Sequence, residues 1–144
     1  MKLTSPEFSH EEFIPAQFTC DGEDINPPLV FEDIPQDAQS LALIVDDPDA
    51  PMRTWVHWVV YDIPVQNGIG QNSAPGTLGT NDFKRRPYGG PCPPIGTHRY
   101  FFKLYALDTT LNLAEGLEKG DLEKAMKGHI LDQAELIGRY KKQA

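Results

Sequence analysis

The sequence predicts a mainly β domain: an antiparallel β-sandwich with Greek-key crossings and one or two short helices. Three observations carry this expectation. Three apolar runs, at 40–46, 55–61 and 99–107, are strand-length and rich in β-branched and aromatic residues. The 13 prolines and 12 glycines cut the chain into short segments, the punctuation of a sandwich or barrel. A length of 144 residues, 40% hydrophobic and 24% charged, suits one core, hence a single domain over 1–144.

The elements follow in order. Residues 13–19 form a short candidate strand broken early by Pro15, and Asn26-Pro27-Pro28 is a turn or extended entry. Residues 29–31 form a short strand that stops before Pro35. The runs SLALIVD, WVHWVVY and RYFFKLYAL are apolar on both faces, as expected of central strands in a layered fold. Residues 63–88 contain Gly68, Gly70, Pro75, Gly76, Gly79 and Pro87 and show no period, so they read as surface loop near a site. One helix is predicted, with Asp121 as N-cap and Leu122, Ala125, Met126 and His129 or Ile130 at helical spacing. Gly128 weakens its last turn. Ala134, Leu136, Gly138 and Tyr140 then alternate with Glu135, Ile137 and Arg139, the period of a closing strand. Residues 141–144 read as a frayed end.

Charge and composition narrow the function. A net charge of −8 repels phosphate backbones, which argues against nucleic-acid binding but leaves room for a local anion pocket. No stretch is long and apolar enough to span a membrane, and the first residues lack the apolar segment of a secretory signal, so the chain is expected in the cytoplasm. Cys20 and Cys92 fit no CxxC pattern. They read as two reduced, partly buried thiols or as one disulfide closing a long loop, and the spacing does not choose.

Three clusters can carry chemistry. The first is Asp46-Asp47-Pro48-Asp49-Ala50-Pro51, at the end of a buried strand. Its prolines fix the backbone and hold the carboxylates at defined positions, with Ala50–Pro51 a candidate cis bond. The second is His57, inside the next apolar run. The third is Gly90-Pro91-Cys92-Pro93-Pro94-Ile95-Gly96-Thr97-His98-Arg99-Tyr100, where the prolines make a stiff wall and Gly96 permits close approach or a positive φ. Tyr100 lies one pleat beyond His98 and shares its face, whereas Arg99 points the other way, towards an ion pair with a turn carboxylate. If the strands are neighbours, two imidazoles and one or two carboxylates meet at one rim. A carboxylate beside an imidazole fixes its tautomer and raises its pKa, leaving the other ring nitrogen a donor into the cavity. Two such donors suit a small oxyanion.

These residues resemble the phosphatidylethanolamine-binding (Raf-kinase-inhibitor-like) protein family. The resemblance is carried by Asp47-Pro48-Asp49-Ala50-Pro51 and Gly96-Thr97-His98-Arg99-Tyr100 with His57 between them, and it extends from about Leu3 to Tyr140. Gly90-Pro91-Cys92-Pro93-Pro94 and Thr19-Cys20-Asp21-Gly22 resemble the bacterial and archaeal branch in particular. The resemblance implies a β-sandwich with an anion pocket at one end, no cofactor, and binding of phosphate or phosphorylated head groups without turnover. It implies a ligand set of Asp47, Asp49, Pro51, His57, Pro93, His98 and Tyr100. It also implies inhibition of a kinase or serine protease, and association as a homodimer. The competing expectation is an enzyme, either metal-dependent through His57, His98 and Asp47 or using Cys92 as nucleophile.

Overall fold

The computed structural model describes residues 1–143. Eight strands are formed: β1 (Lys2–Thr4), β2 (Leu29–Glu32), β3 (Ser40–Asp47), β4 (Trp55–Ile63), β5 (Gly68–Ile69), β6 (Thr77–Leu78), β7 (Thr97–Leu107) and β8 (Ile130–Lys141). A helix, α1 (Lys119–Met126), precedes β8. The strands make two antiparallel sheets, a small one ordered β1-β2-β5 and a large one ordered β6-β4-β3-β7-β8. After β4 the chain visits the small sheet and the large sheet's edge before β7 returns beside β3. That is the crossing expected of a sandwich whose strands are separated by long loops.

Hydrophobic alternation along β3 explains the layering. Leu41, Leu43 and Val45 face the small sheet and pack with Phe31, Trp58, Phe102 and Leu104. Ala42 and Ile44 face the opposite way and pack with Val59, Tyr61, Leu122 and Met126, so α1 covers the outer face. Every residue of β3 is buried. At roughly 25 cal/mol per Å² of apolar surface removed from water, this two-sided burial is the main favourable contribution to the fold. In β7 burial alternates, with the even-numbered residues 98–106 inside and the odd-numbered ones partly open. The expectation of cover on both faces therefore holds for β3 and β4 but not for β7.

Local structure departs from the sequence reading in several places. Residues 13–19 are not a strand: Ala16–Phe18 make one 3-10 turn, entered from extended Pro15, and Phe13 contributes a single parallel bridge to Arg139. The helix is capped by Glu118, not Asp121. Asp121 is its third residue, and its carboxylate accepts the Glu118 N–H at 3.2 Å, half of a capping box. The helix ends before His129, because Gly128 takes a φ of +83° that turns the chain into β8. The 63–88 loop supplies two-residue strands to both sheets. Lys141 belongs to β8 and the Gln143 N–H donates to Asp21, so these residues are held, while Ala144 lies outside the described residues. The described peptide bonds are all trans, Ala50–Pro51 included.

Cys20 and Cys92 form a disulfide, with Cα atoms 5.5 Å apart and a sequence separation of 72. The reduced-thiol reading is thereby overturned, and both cysteines are exposed, not partly buried. The outer edge of β8 is partly covered near its end by the N-terminal segment. Glu11 and Ile14 donate to the Ile137 and Arg139 carbonyls, and the Arg139 N–H donates to Glu12.

Candidate functional site

The ends of β3, β4 and β7 converge on a cavity of about 280 Å³. Asp47 enters from β3, Trp55 and His57 from β4, and His98 and Tyr100 from β7, with Ala50 and Pro51 on one flank and Cys92, Pro93 and Pro94 on the other. β3 has β4 on one side and β7 on the other, and this adjacency brings His57 and His98 together. Both rings are almost fully buried, at 4% and 7% exposure.

Asp46 and Asp47 are successive residues on a pleat and face opposite ways. Asp46 turns away from the cavity to ion pairs with Lys119 at 2.7 Å and Lys103 at 3.1 Å. Asp47 faces the cavity. One of its oxygens accepts the Asp49 N–H at 2.8 Å, fixing the proline-flanked turn, and the other accepts His98 Nδ1–H at 2.7 Å. His98 is thus held in one tautomer with Nε2 turned to the pocket.

His57 is oriented differently from the sequence expectation. Its Nδ1–H donates to the Gly89 carbonyl at 2.6 Å, not to a carboxylate. Burial pushes its pKa below the ordinary 6.5, against the upward pull of the Gly89 bond and of the Asp47, Asp46 and Asp24 charges. The expected pair of donors is therefore corrected: the neutral His57 ring offers a lone pair at Nε2. Phe83 and Tyr100 pack edge-on around the ring, each with centroid separations of 5.2 Å. Burial, then the negative charges of Asp47 and Asp49, raise the pKa of Tyr100, so its phenol stays protonated and can donate.

The sign of the His57 shift sets a pH dependence of stability. The unfolded ring binds a proton near pH 6.5 that the folded ring resists, so its contribution is complete above that pH and is lost as pH falls through the lowered folded value. Thermal unfolding midpoints fall between about pH 7.5 and about pH 5.5, and part of that fall is absent in His57→Asn, whose amide can replace the Nδ1 donor. Equal falls in the two proteins would rule out His57 as the source.

Asp49 does not line the cavity. It forms a two-point ion pair with Arg99, at 2.8 and 2.9 Å, and accepts the Arg99 N–H at 2.9 Å, which is the turn-carboxylate pairing expected for Arg99. Asp47, Pro51, His57, Pro93, His98 and Tyr100 are gathered as expected. The reading missed Trp55, Phe83 and the Gly89 carbonyl. Trp55 could have been found, since it lies two residues before His57 on the same face. Gly89 and Gly90 let the wall approach closely: a Cβ on Gly89 would meet the Phe83 ring, and one on Gly90 would lie 2.5 Å from Asp24 Oδ1. Cys92 has no free thiol, which removes the cysteine nucleophile. Among the described residues no three His, Cys, Asp or Glu side chains are grouped to hold a metal.

This fold and this cavity define a class: mainly β sandwich proteins with one small polar-and-aromatic pocket at the ends of their central strands. A family model described as phosphatidylethanolamine-binding protein matches residues 4–141, and the chain belongs to that family. Membership carries ligand binding in general. An UPF0098 protein of Methanothermobacter thermautotrophicus is 48% identical, over 99% of this chain and 99% of its own. The crystal structure of a phosphatidylethanolamine-binding protein homologue from Chlamydia trachomatis superposes with a TM-score of 0.95 at 43% identity, covering 99% of this chain and 97% of the other. Escherichia coli YbcL, described as a member of the mammalian family, gives 0.90 at 26% identity, covering 99% and 98%. No helix among the described residues is long and apolar enough to cross a membrane.

Proposed function

We propose that the pocket binds a small oxyanion or phosphorylated small molecule, such as phosphate or a phosphoethanolamine head group, without converting it. The observation that carries this reading is the pair of imidazoles whose Nδ1 protons are both taken by the protein, leaving both Nε2 atoms for a ligand beside the Tyr100 hydroxyl. A phosphate accepts hydrogen bonds from Tyr100 O–H and from the Nε2 edge of His98, with the Asp47 carboxylate held against the other nitrogen of that ring. The net charge of −8 does not oppose this, because the donors are local and the walls of low dielectric. The apolar part of the lining, from Pro51, Trp55, Phe83 and Pro93, suits a short organic substituent.

Regulation of a kinase or serine protease belongs to the same reading. Met52 and Ile95 are the most exposed large apolar side chains, and they adjoin the lining residues Pro51 and Pro94. A protein target covering the mouth would bury both. The reading is tested by titrating inorganic phosphate into the labelled protein and following the His57 and His98 ring resonances by NMR. Both sets shift together and saturate. Unmoved rings at saturating phosphate would reject the pocket.

A further inference from the structure

We propose that this pocket selects anions that bring their own proton, taking inorganic phosphate over sulfate and a phosphomonoester over a phosphodiester, with His57 Nε2 accepting the ligand's P–OH. The inference rests on the anion-binding reading above and narrows it.

The geometry begins at Gly89. A carbonyl oxygen can only accept, so the 2.6 Å contact places the proton of His57 on Nδ1. On the neutral ring, Nε2 is then an acceptor. Nothing in the protein donates to it, and it is not among the buried polar atoms sealed away without a partner, so it remains open to the cavity. The groups around the ring fix its character. Phe83 and Tyr100 press on it edge-on. From β3 comes Asp47, already committed to His98 and the Asp49 N–H, and from β7 comes His98. The carboxylates of Asp47, Asp46 and Asp24 favour a proton on His57, but burial outweighs them.

The two imidazoles therefore have opposite roles. The Asp47 carboxylate at His98 Nδ1 can balance a second proton on that ring, whose Nε2 donates to an anion only with that proton in place, while His57, backed by a neutral carbonyl, accepts at Nε2. A ligand that fits both must present oxygen lone pairs to His98 and Tyr100 and a hydroxyl to His57. Inorganic phosphate keeps a P–OH in both of its forms near neutral pH. A phosphomonoester, with a second pKa of about 6, takes up one proton on binding. Sulfate and phosphodiesters have no proton to offer at neutral pH. They leave a buried acceptor unpaired, or must protonate His57 against its burial, a loss of roughly tenfold or more in affinity.

The test compares inorganic phosphate with sulfate, and ethyl phosphate with dimethyl phosphate, by calorimetric titration of the wild-type protein near neutral pH. Ring ¹⁵N shifts of His57 are read in each complex. Phosphate and ethyl phosphate bind at least about tenfold tighter than their partners, and His57 Nε2 stays unprotonated in the phosphate complex. Equal affinities within each pair, or a protonated Nε2 with phosphate bound, overturn the inference and leave the anion pocket standing. Failure of all four ligands to bind overturns both.

Discussion

In the His98→Ala variant, phosphate binding falls by roughly two orders of magnitude, beyond a millimolar titration. Two losses combine. The ligand loses a charge-assisted donor, a contribution of about 1.5–3 kcal/mol. Asp47, only 3% exposed, loses its side-chain partner and becomes a buried negative charge facing the anion site. The second loss also destabilises the fold by roughly 3 kcal/mol, so a binding defect in His98→Ala alone would be ambiguous. His98→Asn separates the two. Its amide can reach Asp47 as Nδ1 does, but nothing replaces Nε2. We expect stability largely restored and binding still absent. Calorimetric titration and thermal unfolding of both variants decide it, and phosphate affinity retained in His98→Asn would remove His98 from the site.

Replacing both cysteines, Cys20→Ser with Cys92→Ser, lowers stability by about 4 kcal/mol on loop-closure entropy for a 72-residue separation. For a chain of this size the unfolding midpoint drops by roughly 10 °C or more. The effect reaches the pocket as well. The disulfide pins the wall at Cys92, supported by Cys20 N–H donating to Pro91 O, Gly90 N–H donating to Asp24 and Tyr88 O–H donating to Phe18 O. The same wall carries the Gly89 carbonyl that orients His57. Both cysteines are exposed, so a small dithiol can reach the bond, and a reachable disulfide is the readily exchanged kind. Treating the wild type with a dithiol should reproduce the midpoint of the serine variant and weaken phosphate binding in step. An unchanged midpoint after complete reduction, verified by thiol labelling, would show that the remaining hydrogen bonds hold the wall unaided.

Most of the sandwich was legible because its central strands are written in apolar residues. The 40–46 and 55–61 runs became β3 and β4 with at most two residues added at an end. The Asp-Pro turn, the two histidines and Tyr100 were legible because strand alternation fixes which side chains share a face. What escaped was set by contacts distant in sequence. β1 and β5 are three and two residues long and exist only because β2 lies between them. Phe83 stands in a loop without a period, and the Gly89 carbonyl has no side-chain signature at all. Asp49 was misplaced because a motif gives identity but not direction: Arg99 claims it outside the cavity. The disulfide was undecidable because nothing local shows that residue 20 passes beside residue 92.

The cover that residues 11–14 place over β8 has a consequence for assembly. Exposed strand edges recruit strands from other molecules. At the opposite border of the large sheet, β6 is only two residues long and offers little to pair with. On β8, the stretch next to His98 already spends backbone groups of Ile137 and Arg139 on the molecule's own N-terminal segment, whereas exposed Ile130 and Leu131 mark the other extremity. A strand added from another molecule would therefore meet β8 at the end remote from the cavity and leave its mouth unobstructed.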